Sequence, residues 1–309
     1  MILTITLNPS VDIRFTTAEF ATGGIFRAQT DEQTAGGKGL NVSRVLHQLG
    51  SPVIATGFLG GCNGDFIRNK LDEIGIQHQF IQVKGNTRVC IAIVAGDTQT
   101  EVLGRGPLIG EEELAAFTAA LQQLLPRTKL VCISGSLPRG IPPAYYRDLI
   151  NQARKCQVKV LVDTSGEPLE KAAEAGPYLL KPNKKELESA LQTKFMSERD
   201  IARGMGTLAA RGCEIVLVTL GSAGALALAE DKLYRISIPK VEAVNPVGSG
   251  DSMLAGLAHA LYSSLPVEEV LALGTACGIS NAMQAQTGQI DPGQITSLAR
   301  QVQIQRVNI

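Results

Sequence analysis

The sequence is poor in the side chains that serve nucleic-acid recognition and histidine-based catalysis. Its 309 residues include no tryptophan, only 4% aromatic residues and three histidines. The 29 basic and 29 acidic side chains cancel, and no basic cluster interrupts that balance. Because nucleic-acid binding relies on basic surfaces and aromatic stacking, this composition argues against a nucleic-acid partner. With histidine so scarce, we expect any acid–base chemistry to fall to a carboxylate.

Cysteine pairs, long apolar runs and targeting signals are also lacking. The six cysteines are far apart and form no CxxC pair, which favours buried thiols in a reducing compartment over disulfides or metal ligands. No run approaches the roughly 18 apolar residues of a membrane helix. The segment MILTITLNPS has no basic region and too short an apolar stretch for a signal peptide. We therefore expect a cytoplasmic protein without membrane contact.

The chain does show a regular alternation of short β-branched runs with segments of helical period. The predicted strands lie at 2–7, 53–58, 130–134, 158–163, 178–181 and 215–220. The predicted helices lie around 40–49, 64–74, 111–125, 143–156, 183–191, 198–211, 251–263, 267–285 and 293–303. Runs such as VCIS and KVLVD are apolar on both faces, as in a parallel sheet covered on both sides. The alternation predicts a doubly wound, mostly parallel α/β sheet flanked by helices.

Two segments break this alternation. Residues 11–34 lack a helical period, and residues 86–104 contain RVCIAIVAG and TEVLG around a turn, which predicts a β-hairpin. Together they predict a small β-sheet lid formed by about 12–34 and 86–105. Such a lid has one apolar face to hide, so it closes over a site, pairs with a second copy, or does both. No repeat or linker divides the chain, so we expect a single domain over residues 1–309.

Polar residues follow most of the predicted strands, at the sheet edge where open α/β folds bind ligands. They are Asn8, Asp12, Ser134, Ser136, Asp163, Lys181 and Asn183, and Gly221 follows the last of these strands. So many polar residues along one edge indicate a large polar ligand. The sequence has no GxxxxGK[ST] P-loop, no GxGxxG after a strand and no GxSxG elbow, so the common nucleotide-binding and serine hydrolase motifs do not apply.

The stretch NPVGSGDSMLAG places Asp251 between a Gly-Ser-Gly triplet and a predicted helix. An acidic residue at this position is often only a helix cap. The flanking glycines favour a different interpretation, in which bare backbone N–H groups approach an anion. The stretch alone leaves both interpretations open.

Two longer segments, AGGKGLNVSRVLHQLG and NPVGSGDSMLAGLAHAL, resemble the two signatures of the phosphofructokinase-B family of ribokinase-like sugar kinases. Between them NPSVD, SGSLPRGIP, VDTSGEPL, KPNKKEL and TLGSAGAL occur in the family's order, so the resemblance spans nearly the whole chain. It implies a ribokinase-like fold with a small β-sheet lid. It also implies ATP-dependent phosphoryl transfer to a sugar phosphate, with Mg²⁺ as cofactor and a homodimer formed through the lid.

Within the family, GGKGLNV, SGSLPRGIPPAYY and NPVGSGDS are most similar to the kinases that act on tagatose 6-phosphate. The expected reaction is therefore phosphorylation of D-tagatose 6-phosphate to the 1,6-bisphosphate. Kinases of fructose 1-phosphate and of fructose 6-phosphate are the alternatives. A non-catalytic sugar-phosphate sensor on the same fold is a third hypothesis, which the intact GSGD motif disfavours.

The resemblance implies that Asp251 is the catalytic base. The N–H groups of Gly248, Ser249 and Gly250 are then the anion hole for the transferring phosphoryl group. Phosphoryl transfer depends on positioning and on stabilising spread negative charge, and a helix N-terminus provides both. The same field is expected to keep Asp251 ionised at neutral pH.

The resemblance also implies which residues surround the acceptor. Those expected near the sugar are Asp12, Gly37, Asn41 and Ser136, and those expected near its phosphate are Lys38, Arg88 and Arg27. From the residues alone, Asp12 also fits a turn after Pro9-Ser10, and Arg88 fits a solvated strand arginine. Arg139 is expected to be a surface residue.

For the nucleotide, the resemblance implies a site in the second half of the chain. The residues expected near ATP are Lys181, Asn183, Thr219, Gly221 and Gly224, and those expected near Mg²⁺ are Glu186 and Asp163. The segment NKKE also fits an ordinary helix start, and Asp163 also fits a buried hydrogen bond at a strand end. These alternatives stay open at the level of sequence.

Overall fold

The computed structural model describes residues 1–307. Its strands are β1 (Ile2–Thr6), β2 (Ser10–Thr17), β3 (Thr30–Gly36), β4 (Val53–Leu59), β5 (Gln77–Gln82), β6 (Arg88–Ala95), β7 (Thr98–Leu103), β8 (Leu130–Ser134), β9 (Lys159–Asp163), β10 (Leu179–Leu180), β11 (Ile215–Thr219), β12 (Ala225–Ala229), β13 (Lys232–Ser237) and β14 (Gln303–Val307). Its α-helices are α1 (Lys38–Gln48), α2 (Gly61–Glu73), α3 (Glu111–Leu124), α4 (Tyr145–Lys155), α5 (Glu167–Glu174), α6 (Lys184–Ala190), α7 (Glu198–Ala209), α8 (Ser249–Tyr262), α9 (Val267–Ala282) and α10 (Pro292–Gln301).

The main sheet has ten strands in the order β14-β13-β12-β11-β10-β9-β8-β1-β4-β5. All neighbours from β11 to β5 are parallel, and β12, β13 and β14 extend the sheet as antiparallel strands. Every strand predicted for the parallel sheet lies in its parallel part. The predicted mostly parallel α/β fold is confirmed.

Helices cover both faces of this sheet, as the doubly apolar strands predict. In β8, Val131 and Ile133 pack with α3, α4, α5 and α7, whereas Leu130 and Cys132 pack with α1, α8, α9 and α10. Each of these side chains is at most 1% exposed. Complete burial of an aliphatic side chain contributes about 1.5–3 kcal/mol, so both layers hold the strand in place.

The second sheet is small, with strand order β3-β2-β6-β7, and it consists of the segments predicted for the lid. Its central strands β2 and β6 are parallel, and β3 and β7 flank them as antiparallel edges. Strands β2, β3 and β6 come together at one end, where Ser10 pairs with both Gly36 and Arg88. At that end Val11 and Ala35 pack against α1 and α2. The predicted small second sheet is therefore present.

Some elements have no counterpart in the sequence analysis, namely β5, β12, β13, β14 and α5. Strand β12 reads ALALA, without the β-branched residues that mark a strand. The turn that joins β12 to β13 places Glu230 and Asp231 at φ values of 51° and 56° instead of using Asn-Gly. None of the helices in residues 1–307 is long and apolar enough to span a bilayer.

Helices α8 and α9 cross closely because glycines lie at their contact. A Cβ atom added to Gly256 on α8 comes within 2.7 Å of the Cys277 sulfur and 2.9 Å of the Gly274 Cα. Gly274 in turn lies against Leu257. This close crossing sets the position of α8, whose first turn enters the candidate site.

We expect Gly256→Ala to lower the free energy of unfolding by about 1–3 kcal/mol, because the added methyl group overpacks the crossing. The matched control is Gly206→Ala in the interior of α7, where an added Cβ meets nothing within 4 Å. That change is expected to raise the free energy of unfolding by about 0.5–1 kcal/mol, because alanine favours helix more than glycine does. Urea unfolding of both variants measures the two effects. Changes of the same sign in the free energy of unfolding contradict the prediction.

Candidate active site

The first turn of α8 presents free backbone N–H groups at the carboxyl edge of the main sheet. Gly248 is the N-cap residue, with a φ of 81° that favours glycine. The N–H groups of Gly248, Gly250 and Asp251 donate to no acceptor within residues 1–307, whereas that of Ser249 donates to the Pro246 carbonyl at 3.2 Å. Free N–H groups at a helix N-terminus attract anions. Of the three N–H groups predicted for the anion hole, two are free and that of Ser249 is engaged.

Asn281 on α9 holds the loop that leads into this turn. Its fully buried side-chain amide donates to the Val247 carbonyl at 2.8 Å and accepts from the Ser252 hydroxyl at 3.0 Å and the Gly288 N–H at 2.8 Å. One amide therefore joins the loop before α8 to the loop after α9. This contact fixes the backbone of the first turn of α8.

The side chain of Asp251 lies in the first turn of α8 and does not cap the helix. It is only 6% exposed, and its Oδ2 atom accepts a hydrogen bond from the Asn41 amide at 2.7 Å. The N-cap position is occupied by Gly248. The capping interpretation of Asp251 therefore does not describe this structure, and the carboxylate is available beside the free N–H groups.

Burial raises the pKa of Asp251 to about 6, and the nearby Asp163 carboxylate adds to that rise. Lys38, the Asn41 hydrogen bond and Lys181 act in the opposite direction. The carboxylate is therefore ionised at neutral pH but binds a proton more readily than an ordinary aspartate. This is the range in which a carboxylate works well as a general base near pH 7.

Asp163 at the end of β9 lies between two ammonium groups. Its Oδ2 atom is 2.7 Å from Lys181 Nζ, and its Oδ1 atom is 2.9 Å from Lys38 Nζ. Burial alone raises the pKa of Asp163, but Lys181 and Lys38 outweigh it and lower that pKa to about 2. Gly250 lies against this group, since a Cβ added there is 3.2 Å from Lys181 Nζ. The ammonium groups therefore add positive charge next to the first turn of α8.

Lys38 is the first residue of α1, and its side chain runs past Gly135 towards the carboxylates. Its Nζ atom contacts Asp163 and is 3.8 Å from Glu186 Oε1, and these acids together with Asp251 raise the pKa of Lys38. The sequence analysis expected Lys38 beside Arg88, on the acceptor's phosphate. The structure instead places its Nζ atom against Asp163 and Glu186, the two residues expected near Mg²⁺.

The start of α6 combines an ordinary cap with a contact to this cluster. Asn183 Oδ1 accepts from the Glu186 N–H at 2.9 Å, and Glu186 Oε2 accepts from the Asn183 N–H at 2.8 Å. This is a capping box, the alternative that the segment NKKE leaves open. The second oxygen of Glu186 faces Lys38, so the cap does not occupy the whole carboxylate.

The remaining residues expected near the nucleotide lie at the end of β11. Thr219 forms an isolated parallel bridge with Asn183, which brings these two together. Gly221 and Gly224 lie in the turn after β11, and both have positive φ, at 62° and 89°. A Cβ added to Gly221 meets nothing within 4 Å, whereas one added to Gly224 overlaps the Ile236 carbonyl. The turn is thus open on one side and packed on the other.

The residues at this edge fit a Mg²⁺ ion that arrives with the nucleotide. Within residues 1–307 no group of three His, Cys, Asp or Glu side chains is placed to hold a metal ion. Both oxygens of Asp163 are bound to ammonium groups, and one oxygen of Glu186 is free of the cap. Mg²⁺ commonly uses one or two carboxylates, retains waters and takes its other oxygens from phosphates. Glu186 is the carboxylate best suited to that role.

On the lid side, Asp12 lies where β2 leaves the body. Its Oδ1 atom accepts from the Ser10 hydroxyl at 2.6 Å, and Gly36 lies so close that a Cβ there would overlap the carboxylate. Burial raises the pKa of Asp12, while Ser10, Arg88 and Arg44 act to lower it. Asp12 is thus part of a strand and not of a turn.

Arg88 and Ser136 meet at Asn8, and Arg27 does not. Arg88 Nε donates to the Asn8 carbonyl at 3.1 Å, and the Asn8 amide donates to the Ser136 hydroxyl at 3.1 Å. Arg27 lies in the exposed connection between β2 and β3, beyond the far end of β2 at Thr17. Thr17 lies five positions along the strand from Asp12, about 17 Å away. Arg27 therefore does not reach Arg88 of the same chain.

Arg44 and Gly37 complete the arrangement around Asn41. Gly37 is the N-cap of α1, with a φ of 113°. Arg44 donates to Asn41 Oδ1, to the Ala35 carbonyl and, at 3.3 Å, to the Thr287 carbonyl. Because Arg44 binds the oxygen of the Asn41 amide, the nitrogen of that amide faces Asp251. The sequence analysis missed Arg44, and its only local signal is the three-residue spacing from Asn41 on α1.

A sequence profile described as "pfkB family carbohydrate kinase" matches residues 5–292. The chain belongs to the pfkB family of carbohydrate kinases. The kinase is 39% identical to a tagatose-6-phosphate kinase of Staphylococcus epidermidis over 307 residues, which cover 98% of this chain and 99% of that protein. As a sugar kinase it takes ATP as a substrate. This is the family that the two sequence signatures resemble.

Solved structures of related proteins have the same fold over nearly the whole kinase. Phosphofructokinase-2 of Escherichia coli, in complex with potassium, has a TM-score of 0.91 at 26% identity, over 97% of this chain and 98% of that one. A possible 1-phosphofructokinase of Thermotoga maritima has the same TM-score and identity, over 99% of each chain. A putative phosphofructokinase of Staphylococcus aureus has a TM-score of 0.83 at 33% identity, over 100% of this chain and 99% of that one.

We expect Asp251→Asn to raise the midpoint of thermal unfolding at about pH 8, because the ionised carboxylate is buried at a cost. A free aspartate has a pKa of about 3.9, so the folded kinase holds this proton more tightly than the unfolded chain does. The contribution of Asp251 to stability is therefore greatest at low pH and is lost as the pH rises through about 6.

The gain from Asp251→Asn should accordingly shrink as the pH is lowered towards about 5. Calorimetry at several pH values measures this trend. Asp97→Asn, an exposed change in the lid, is the matched control and should show no gain. A gain that is independent of pH contradicts the prediction.

Proposed function

We propose that this kinase transfers the γ-phosphoryl group of ATP to D-tagatose 6-phosphate and forms D-tagatose 1,6-bisphosphate. The observation that supports it most is the buried Asp251 carboxylate, which does not cap its helix and lies beside free N–H groups. The relative named tagatose-6-phosphate kinase, at 39% identity, supports the choice of acceptor.

In the proposed reaction Asp251 accepts the proton of the acceptor's hydroxyl group. The hydroxyl oxygen then forms a bond to the γ-phosphorus while the bond from that phosphorus to the bridging oxygen of ADP breaks. The N–H groups of Gly248 and Gly250 stabilise the charge of the transferring group, and Ser249 completes the turn that holds them. The Asn41 amide keeps the Asp251 carboxylate oriented through its 2.7 Å hydrogen bond.

Lys38 and Lys181 supply positive charge to the transferring phosphoryl group in this proposal. Both ammonium groups are held by Asp163, and Lys181 lies against Gly250. A fixed cation that needs no rearrangement stabilises a transition state better than mobile solvent does. The contacts of Lys38 with Asp163 and Glu186 support a role at the phosphoryl group that moves, instead of at the phosphate that the acceptor already carries.

The nucleotide side of the proposed site consists of Asn183, Thr219, Gly221 and Gly224. Of the two acids expected near Mg²⁺, Glu186 has an oxygen free of the cap, and Asp163 acts through Lys38 and Lys181. Mg²⁺, bound together with ATP, would supply positive charge that offsets the charge of the phosphates. Glu186 would hold the ion through water, and Asp163 orients the two lysines. The open side of Gly221 leaves room for the nucleotide to approach the backbone.

On the acceptor side, Asp12, Gly37, Asn41 and Ser136 bind the sugar, and Arg88 binds its phosphate. The lid, formed by about residues 12–34 and 86–105, then closes over the sugar. Lid and main sheet together form a single domain in this proposal. Large apolar side chains on the lid are exposed, among them Ile25 at 99% and Leu103 at 63%. They support the proposal that two lids pair in a homodimer, with Arg27 near that contact.

We expect Asp251→Asn to lower kcat about a hundred- to ten-thousand-fold while ATP and the acceptor still bind. Activity of the unchanged kinase should fall as the pH drops through about 6, because the base becomes protonated. Titration of the substrates' own phosphates affects both proteins alike, so the difference between the two pH profiles isolates Asp251. A variant that keeps the acid limb of the profile refutes the role of this carboxylate.

For Lys38→Met we expect kcat to fall at least tenfold with little change in the KM for the acceptor, because the lost charge faces the transferring group. Initial rates at varied acceptor and saturating Mg-ATP separate the two parameters. Lys240→Met changes an exposed lysine in the segment before α8 and is the matched control, with both parameters unchanged. A rise in the acceptor KM with constant kcat returns Lys38 to the acceptor's phosphate.

The choice of acceptor is tested by ADP formation with tagatose 6-phosphate, fructose 1-phosphate and fructose 6-phosphate in parallel. We expect kcat/KM to be highest for tagatose 6-phosphate. A preference for either fructose phosphate keeps the base and the anion site but assigns the kinase to the corresponding phosphofructokinase reaction. No turnover on any of the three refutes the ketohexose phosphate as acceptor and favours the sensor hypothesis.

A further inference from the structure

The peptide that joins Val247 to Gly248 has its two polar groups directed to opposite sides. The Val247 carbonyl accepts a hydrogen bond from the Asn281 side-chain nitrogen at 2.8 Å, whereas the Gly248 N–H donates to no acceptor within residues 1–307. This peptide is trans, and the C=O and N–H groups of a planar trans peptide point in opposite directions. The hydrogen bond to Val247 therefore also sets the direction of the free Gly248 N–H group.

The Asn281 amide has one orientation that satisfies its neighbours. Its Oδ1 atom accepts from the Gly288 N–H at 2.8 Å and from the Ser252 hydroxyl at 3.0 Å. A backbone N–H can only donate and a carbonyl oxygen can only accept, so the oxygen of the amide faces Gly288 and its nitrogen faces Val247. The side chain is fully buried, so water does not compete for these hydrogen bonds.

The turn that contains Gly248 needs such a contact because its own sequence leaves it flexible. Gly248 has a φ of 81°, and Gly250 follows two positions later. Glycine adopts a positive φ without strain, but it also rotates to other φ values readily. An N–H group stabilises developing charge best when it is held in place before the reaction, because no reorganisation is then required. A buried side chain from outside the turn supplies this rigidity.

The loop after α9 packs against Gly248 as well. A Cβ atom added to Gly248 lies 2.5 Å from Thr287 Cγ2 and 3.4 Å from Asn281 Oδ1. Thr287 is held in turn, since its carbonyl accepts from Arg44 at 3.3 Å and its hydroxyl accepts from the Asn245 amide at 3.3 Å. Gly248 is therefore confined by Asn281 together with a loop that is itself anchored to other elements.

We propose that Asn281 is a positioning residue for phosphoryl transfer, which directs the Gly248 N–H towards the transferring group by holding the Val247 carbonyl. This inference rests on the proposed function, since it concerns an N–H group that is assigned there to the transferring group. The Asn281 side chain is fully buried and its hydrogen bonds are made to the two loops, so it acts through the peptide and not on a substrate. Its loss therefore affects the transition state more than the binding of either substrate.

The test compares Asn281→Leu and Asn281→Ala with the control Thr275→Val. Leucine keeps a similar volume without the donor, and alanine removes the donor without crowding the loops. Thr275 is also buried on α9, where its hydroxyl donates to the Leu271 carbonyl at 2.7 Å. We expect kcat per folded enzyme to fall about tenfold to a hundredfold in both Asn281 variants, with the KM for the acceptor and the affinity for Mg-ADP nearly unchanged. Thr275→Val should match the unchanged kinase in all three quantities.

Aluminium fluoride gives a second readout, because with Mg-ADP and the acceptor it imitates the charge of the phosphoryl group during transfer. We expect the affinity for aluminium fluoride to fall in each Asn281 variant by the same factor as kcat. A loss of folded enzyme instead lowers the amount bound and leaves this affinity unchanged. The acid limb of the pH profile should stay at about pH 6 in both variants, because Asp251 is not altered.

An unaltered kcat and an unaltered affinity for aluminium fluoride in the folded variants overturn the inference while leaving the proposed function intact. A loss of Mg-ADP affinity or a rise in the acceptor KM by the same factor as the loss of kcat also overturns it, because Asn281 then supports the whole site. Failure of the unchanged kinase to phosphorylate any ketohexose phosphate instead overturns the proposed function, and the two failures are therefore distinguishable.

Discussion

The contact of the Asp163 carboxylate with the ammonium groups of Lys181 and Lys38 is the interaction on which the rest of the site depends. It joins the end of β9 to the residue after β10 and to the first residue of α1. Buried charges are costly to desolvate, so each member of the group is tolerable only while its partners are present. Removal of one lysine therefore affects Asp163 and, through it, the charge that Asp251 experiences.

Much of the fold could be predicted from the sequence because its central strands are constrained on both faces. VCIS is apolar at every position that meets a helix layer, and that pattern identifies β8 directly. The antiparallel extension of the sheet could not be predicted in the same way. In β12 alanine is sufficient because neighbouring strands and helices supply the packing, and the turn at Glu230 is held by the hairpin itself.

The candidate site was predictable in its residues but not in the directions of its side chains. The glycines before Asp251 indicate an anion site, yet only the tertiary structure shows that Gly248 is the cap and that Asn41 binds the carboxylate. The sequence gives no sign that Lys38 points along α1 to β9 and not to the lid. Arg44 and Asn8 act through residues far away in the chain, so local patterns do not reveal them.

Arg44 connects three parts of the molecule that belong to different steps of a reaction. Its guanidinium group donates to the Ala35 carbonyl near the end of the lid strand β3. It also donates to the Asn41 amide that orients Asp251 and to the Thr287 carbonyl in the loop after α9. Linkage between binding equilibria is reciprocal, so a displacement of β3 and a change at Asp251 each alter the free energy of the other. When the lid is open, Asp251 is consequently less well oriented. Water that enters without the sugar then meets a carboxylate that is poorly placed to accept its proton.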